Sequence, residues 1–181
     1  RPPTERTPGV VLVGRIAPDK RVVAAIEAFD AVVATRGPTP LHIIGTAAPM
    51  YRQYRAAVLA AADRRPHVHV HLDADRTHLH DLLCRHTVGL GMKPYEHFGM
   101  AIAEYATAGL HPVTPASGGQ VEIVECVGGS TFEHEAELAE TLMGALEAPL
   151  PHPLAPETYA PSRFRAAMRE TVREALADVV K

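Results

Sequence analysis

The stretch Lys93-Pro94-Tyr95-Glu96-His97-Phe98-Gly99-Met100-Ala101-Ile102-Ala103-Glu104 decides how the chain is read. A polar loop closes on Phe98-Gly99, and an almost wholly apolar segment follows. Two carboxylates, Glu96 and Glu104, bracket the junction eight positions apart. From Gly99 to Ala108 only Glu104, Tyr105 and Thr107 interrupt the apolar run, which predicts a helix inside the protein. A carboxylate on such a helix needs a partner, because an unpaired buried charge is costly. A ligand hydroxyl is one candidate. Gly99 carries no side chain, so another group can come close to the backbone there. The free N–H groups of the first helical turn, with the helix dipole, favour an anion. The pattern suits a phosphate flanked by hydroxylated groups, as in a sugar nucleotide. It equally suits a tight turn at Gly99, with Glu104 bonded to neighbouring backbone.

Upstream, the apolar run Val10-Val11-Leu12-Val13 reads as a buried parallel strand ending at Gly14-Arg15. The loop Arg15 to Lys20 leads to a helix over Arg21 to Ala34, with apolar residues at helical spacing. Leu41 to Ile44 is a second strand, and Tyr51 to Arg65 a helix. His67-Val68-His69-Val70-His71-Leu72 alternates like a half-exposed edge strand. Thr77 to Cys84 is a short helix, and Thr87 to Gly91 a strand that enters the opening stretch.

Downstream, Leu110 to Thr114 is a strand complicated by Pro112. Ser117-Gly118-Gly119 is a flexible turn that continues into Val121 to Val124. Ser130 to Phe132 is a short strand, Glu135 to Ala148 an amphipathic helix, and 149–161 a Pro-rich extended piece. Residues 162–181 form a last helix with Ser162 as N-cap and Phe164, Met168, Val172 and Leu176 as its apolar stripe. The expected organisation is a linker or frayed end at 1–9, a Rossmann-like domain at 10–148, and the extended piece with its helix at 149–181.

Alternating strands and helices imply an α/β fold, a parallel sheet with helices on both faces. In such sheets ligands bind at the carboxyl ends of the strands. The loops Arg15 to Lys20, Gly45 to Pro49, Lys93 to Gly99 and Ser117 to Gly119 all follow strands, so they share that edge. Arg15 and Lys20 there could neutralise a diphosphate, one as a fork and one as a point charge. His97 adjoins the same site. His67, His69 and His71 alternate on a strand, so all three are expected on one face, but they span about 13 Å, too far to grip one ion. A metal site is therefore not expected. The chain has no Walker loop, no Gly-x-Gly-x-x-Gly fingerprint and no Gly-x-Ser-x-Gly elbow.

Composition bounds the rest. The chain of 181 residues suffices for one domain, and its 46% hydrophobic content excludes wholesale disorder. A net charge of -3 gives no electrostatic case for nucleic acid. No apolar run approaches the ~20 residues of a membrane span. The chain begins with Arg rather than Met and is expected to be a piece of a longer protein. Cys84 and Cys126 form no Cys-x-x-Cys pair, so a reducing, cytoplasmic setting is expected.

Gly14-Arg15 with Lys20, Glu96-His97-Phe98-Gly99 with Glu104, Gly109, and Ser117-Gly118-Gly119-Gln120-Val121-Glu122-Ile123-Val124 resemble the carboxyl-terminal half of the retaining glycosyltransferases of family four, the glycosyl transferases group 1, which have the GT-B fold. The resemblance covers roughly residues 10–146. It implies that Arg15 and Lys20 hold the donor's diphosphate and stabilise it as it leaves. Glu96 would contact sugar hydroxyls near the reacting carbon, with Phe98, Gly99 and Met100 cradling phosphate and sugar and Glu104 binding the ribose. It implies hexose transfer from a nucleotide-sugar with retention, no cofactor and no metal. The Glu96-His97-Phe98-Gly99 form hints at GDP-mannose, and a UDP-sugar is the other candidate. The partner expected is an acceptor-binding amino-terminal domain, which could bring the parent to the cytoplasmic membrane face. The alternatives are a nucleotide-sugar epimerase of the same fold and a non-catalytic binding module. Tyr105, His111 with Pro112, and Lys93-Pro94 depart from the usual pattern.

Overall fold

In the computed structural model, residues 5–179 are described. Six strands form one sheet: β1 (Val10–Arg15), β2 (Leu41–Thr46), β3 (Val68–Leu72), β4 (Val88–Leu90), β5 (His111–Pro115) and β6 (Ser130–Phe132). Their order is β3-β2-β1-β4-β5-β6, and every pairing is parallel. The helices between them are α1 (Val22–Arg36), α2 (Arg52–Asp63), α3 (Arg76–Arg85), α4 (Met100–Ala108) and α5 (Gln120–Val127), and α6 (Leu138–Glu147) follows β6. α7 (Pro161–Val179) follows a short turn at Pro156–Tyr159.

The sheet separates two cores. Phe29 and Ile26 of α1, Val58 of α2 and Leu138 and Leu142 of α6 cover one face. Leu82 and Leu83 of α3, Ile102 and Tyr105 of α4 and Ile123 of α5 cover the other. Strand order reverses between β1 and β4. That leaves a crevice beyond their carboxyl ends, where doubly wound sheets bind ligands.

Pro112 causes no break in β5. It lies one residue before pairing with β6 begins at Val113 and Ser130, so its missing N–H leaves no ladder bond unmade. His111 fills the first position of β5 and reaches Ser130 Oγ at 2.8 Å.

Several details differ from the sequence reading. Residues 121–124, left open beyond the turn, lie in α5. α7 starts at Pro161, one residue before the serine expected to cap it, because proline's fixed φ suits the first helical position. Phe164, Met168, Val172 and Leu176 on α7 are all exposed. The last two residues of the expected helix and the first four of the expected linker lie outside the described residues.

The amino-terminal segment from Arg6 onward is tied down rather than frayed. The Arg6 guanidinium donates to Leu83 O at 2.8 Å, to His86 O at 2.6 Å and to Ala108 O. Those carbonyls end α3 and α4, where a cation also suits the helix dipole. The Pro-rich piece is anchored too: Leu154 is buried, and its N–H reaches Ala106 O at 2.9 Å.

Candidate functional site

β1 delivers Gly14 and Arg15 to the crevice, and a short turn at Pro18–Lys20 brings Lys20 back over them. The Lys20 stem passes 3.8 Å from where a Gly14 Cβ would stand, an ordinary packing distance. Lys20 Nζ donates to Glu96 Oε2 at 2.7 Å. That bond, more than any other influence, holds the Glu96 carboxyl below its usual range. Lys93 Nζ stands 3.6 Å from the same oxygen and 3.7 Å from Asp19 Oδ2. Arg15 Nη2 is 3.7 Å from that Asp19 oxygen. Three cations and two carboxylates thus share one network.

The loop carrying Glu96 is clamped from β5's side. Glu96 and Gly118 form a parallel bridge, and the Gly119 N–H reaches Glu96 O at 2.9 Å. Gly118 has φ +79, and a Cβ there would lie 2.4 Å from Glu96 O. Ser117 Oγ accepts from the Tyr95 N–H at 3.1 Å. The segment read as a flexible turn is therefore a fitted clamp. Gln120, fully enclosed, completes it: its amide donates to Lys93 O at 2.9 Å and Ser117 O at 3.1 Å.

Gly99 precedes α4 with φ +90, and a Cβ there would lie 2.8 Å from Gln120 Cβ. No side chain caps α4, and its first turn holds no acidic residue. The positive end of the helix dipole is therefore offered to the crevice. Phe98 sits edge-on to Tyr159, ring centres 5.2 Å apart.

A cavity of about 550 Å³ gathers these groups. Gly14, Arg15 and Lys20 line it from the β1 side. Glu96, His97, Phe98, Gly99, Met100 and Glu104 line it from the β4–α4 side. All nine residues singled out in the sequence therefore meet at one place.

Two expectations about α4 need correction. The helix is not wholly buried, and Glu104 is exposed. Met100, Glu104 and Thr107 form its wet side, so water satisfies that carboxylate without an obligatory partner. Tyr105, one of the departures from the family pattern, faces the core and is fully buried. Its hydroxyl accepts from the Val13 N–H at 2.6 Å and donates to Leu90 O at 3.3 Å, tying α4 to β1 and β4. Burial pushes its phenol up. Gly89 makes room: a Cβ there would lie 2.2 Å from the tyrosine ring.

The histidines separate as well. His67 precedes β3 and packs on Phe29, with Nε2 3.8 Å from Asp30, so it does not share a face with His69 and His71. Strand alternation has not begun there, because the Val68 N–H is turned back to Arg65 O. His42 Nδ1 meets His71 Nε2 at 3.0 Å, and His71 Nδ1 meets His78 Nε2 at 3.0 Å. The rings of His69 and His86 stack on His42. His71 uses opposite nitrogens for its two neighbours, so the contacts run as a chain rather than around a point. Among the described residues, no three His, Cys, Asp or Glu are arranged to hold a metal ion.

Sequence reasoning gave no role to Asp19, Lys93 and Gln120. Lys93 stands three residues before Glu96, and Gln120 is a lone amide opening an apolar helix. Neither signal distinguishes a site residue from a solvated one.

The amino-acid sequence matches the family described as glycosyl transferases group 1 over residues 2–163. The chain belongs to the glycosyl transferases group 1.

Solved structures agree on the fold. A UDP-forming α,α-trehalose-phosphate synthase from Burkholderia xenovorans superposes with TM-score 0.67 at 19% identity, covering 80% of this chain and 38% of that one. The trehalose-6-phosphate synthase OtsA gives 0.69 at 16% identity, with 80% and 37% covered. The pneumococcal O-GlcNAc transferase GtfA, in complex with UDP and GlcNAc, gives 0.62 at 16%, with 80% and 29% covered. This chain thus spans well under half the length of these structures. It has the Rossmann-like fold of the carboxyl-terminal half of a GT-B glycosyltransferase. A comparison with curated proteins gives no match.

Proposed function

We propose that this chain is the donor-binding half of a retaining glycosyltransferase. It binds the nucleotide-sugar while an amino-terminal domain of the same parent holds the acceptor. The observation that carries this reading is the convergence of Arg15, Lys20 and the uncapped start of α4 on one cavity with Glu96 and Glu104. Arg15, Lys20 and the helix dipole would stabilise the departing diphosphate. Glu96 would hold sugar hydroxyls beside the reacting carbon, and Glu104 the ribose. Phe98, Gly99 and Met100 form the wall against which phosphate and sugar rest, with His97 beside them.

The positive charge comes from the chain's own residues, so the reading assigns no step to a metal or cofactor. A hexose on UDP is the first candidate donor, since UDP is named with similar structures, and GDP-mannose is the second. Both cysteines are free, which fits a reducing cytoplasmic setting. No helix among the described residues is long and apolar enough to cross a membrane.

Isothermal titration with UDP, GDP, UDP-glucose and GDP-mannose tests the proposal. Binding of at least one conjugate, without sugar transfer by this chain alone, is the expected result. No heat with any of the four would overturn it. In the full-length parent, Glu96→Ala should abolish turnover. Unchanged turnover would point instead to a non-catalytic module.

A further inference from the structure

The Lys20 ammonium has two claims on it. In this structure it is bound to Glu96 Oε2 at 2.7 Å. The donor reading, on which the following rests, needs the same ammonium for the diphosphate. An ammonium that turns toward a phosphate leaves a partly buried carboxylate behind it, under a ligand that excludes water. Sugar hydroxyls can hydrogen-bond such a carboxylate but bring no charge, so it keeps another counter-charge or its pKa rises toward taking a proton.

We infer that Lys93 is that second counter-charge: a positioning residue that holds Glu96 ionised while Lys20 is engaged by the donor. Its Nζ stands 3.6 Å from the same Oε2, close enough to close on it once Lys20 leaves. Its backbone is fixed, because Lys93 O accepts from the enclosed Gln120 amide at 2.9 Å. Its ammonium is held in the network by Asp19 at 3.7 Å, which in turn faces Arg15. A solvated surface lysine would have no such anchoring on both backbone and head.

The charged and titratable groups around Glu96 come from three elements. The β1 end and its turn bring Arg15, Asp19 and Lys20. The β4–α4 loop brings Lys93 and His97, and α4 brings Glu104. The loop 117–119 adds no charge. With Lys93 removed, donor binding should raise the Glu96 pKa relative to the free protein. A group whose pKa rises on binding favours the complex in acid and opposes it as pH climbs through the raised value.

The test is titration calorimetry of this chain with UDP-glucose and GDP-mannose, whose diphosphates do not titrate near neutral pH. Wild type, Lys93→Met, Lys93→Arg and Lys93→Met/Glu96→Gln, with Glu96→Gln as reference, are compared from pH 5 to 7.5. The wild-type advantage over Lys93→Met should grow about threefold across that range, because Glu96 starts below the usual carboxylate value and only part of a one-unit rise is crossed above pH 5. Lys93→Arg should restore wild-type behaviour. In the Glu96→Gln background the effect of Lys93→Met should not change with pH. An advantage that is flat with pH, or equally steep in the Glu96→Gln background, overturns the assignment and leaves the donor site standing. If neither conjugate binds the wild-type chain, the donor reading falls and this inference with it.

Discussion

Two clusters of titratable groups sit on the same sheet and solve opposite problems. Around the crevice, Arg15, Lys20 and Lys93 alternate with Asp19 and Glu96, so each charge stabilises its neighbour. On β2, β3, α3 and the residue that follows it, His42, His69, His71, His78 and His86 contact one another through their rings, with no ion pair to a carboxylate. Burial, reinforced by the neighbouring imidazoles, pushes His42 down to about 3. His71 and His86 are lowered as well, again mainly by burial. Pairing lowers the Glu96 carboxyl in the first, whereas burial lowers the His42, His71 and His86 imidazoles in the second, with His69 and His78 exposed at its edge. Only the first presents charge to the cavity. The second packs His42 and His86 against the sheet and opens to solvent at His69 and His78.

Disrupting the paired cluster should have the largest effect. Lys20→Met removes the cation nearest Glu96, and about 3 kcal/mol of donor binding, roughly a hundredfold in affinity, should go with it. Titration with the preferred nucleotide-sugar checks this, and a loss under twofold would remove Lys20 from the site.

The neutral cluster should respond to acid instead. Below the unfolded value near 6.5, the unfolded chain binds protons that the folded imidazoles refuse, so stability falls with pH. For His42 the window runs from about 6.5 down to about 3. The loss should be on the order of 1–2 kcal/mol at pH 5. Urea unfolding at pH 7 and pH 5 should show it, and His42→Leu should lose less on acidification than wild type does. Glu96 has a lowered carboxyl pKa, so its contribution is intact above the usual carboxylate range and is lost only as pH falls through the lowered value. Equal acid sensitivity in wild type and His42→Leu would erase the contrast between the clusters.

Polar contacts outside both clusters should matter less. Tyr105→Phe strands the half-buried Val13 N–H and should cost about 1–2 kcal/mol, equally at pH 7 and pH 5. Arg65→Ala removes the paired bonds to Asp30, at 2.7 and 2.6 Å, from a carboxylate that is 47% exposed. That should cost about 0.5–1 kcal/mol by thermal or urea unfolding. A larger loss from Arg65→Ala than from Tyr105→Phe would reverse the ranking of buried over exposed polar contacts.

Much of the site was legible because it lies where chain-local rules apply. Gly14-Arg15 ends an apolar strand, and Glu96 to Gly99 joins a strand to a helix. The alternation of elements puts both on one edge. Glu104 was misjudged for a local reason too: a mostly apolar sequence does not show that one side of α4 is wet. Asp19, Lys93 and Gln120 were invisible as site residues because the contacts that join their loops, Lys93 to Asp19 and Gln120 to Lys93 O, cross between strands.

The sequence by itself determined the parallel α/β architecture, through hydrophobic periodicity and loop punctuation, and the edge on which the site lies. Tertiary structure alone decided the pairing of charges. Lys20 and Glu96 are 76 positions apart, and their 2.7 Å contact depends on strand order placing β1 beside β4. It also decided that Tyr105 points inward, because whether a polar side chain finds a partner in the core depends on which backbone N–H the neighbouring strand leaves within reach.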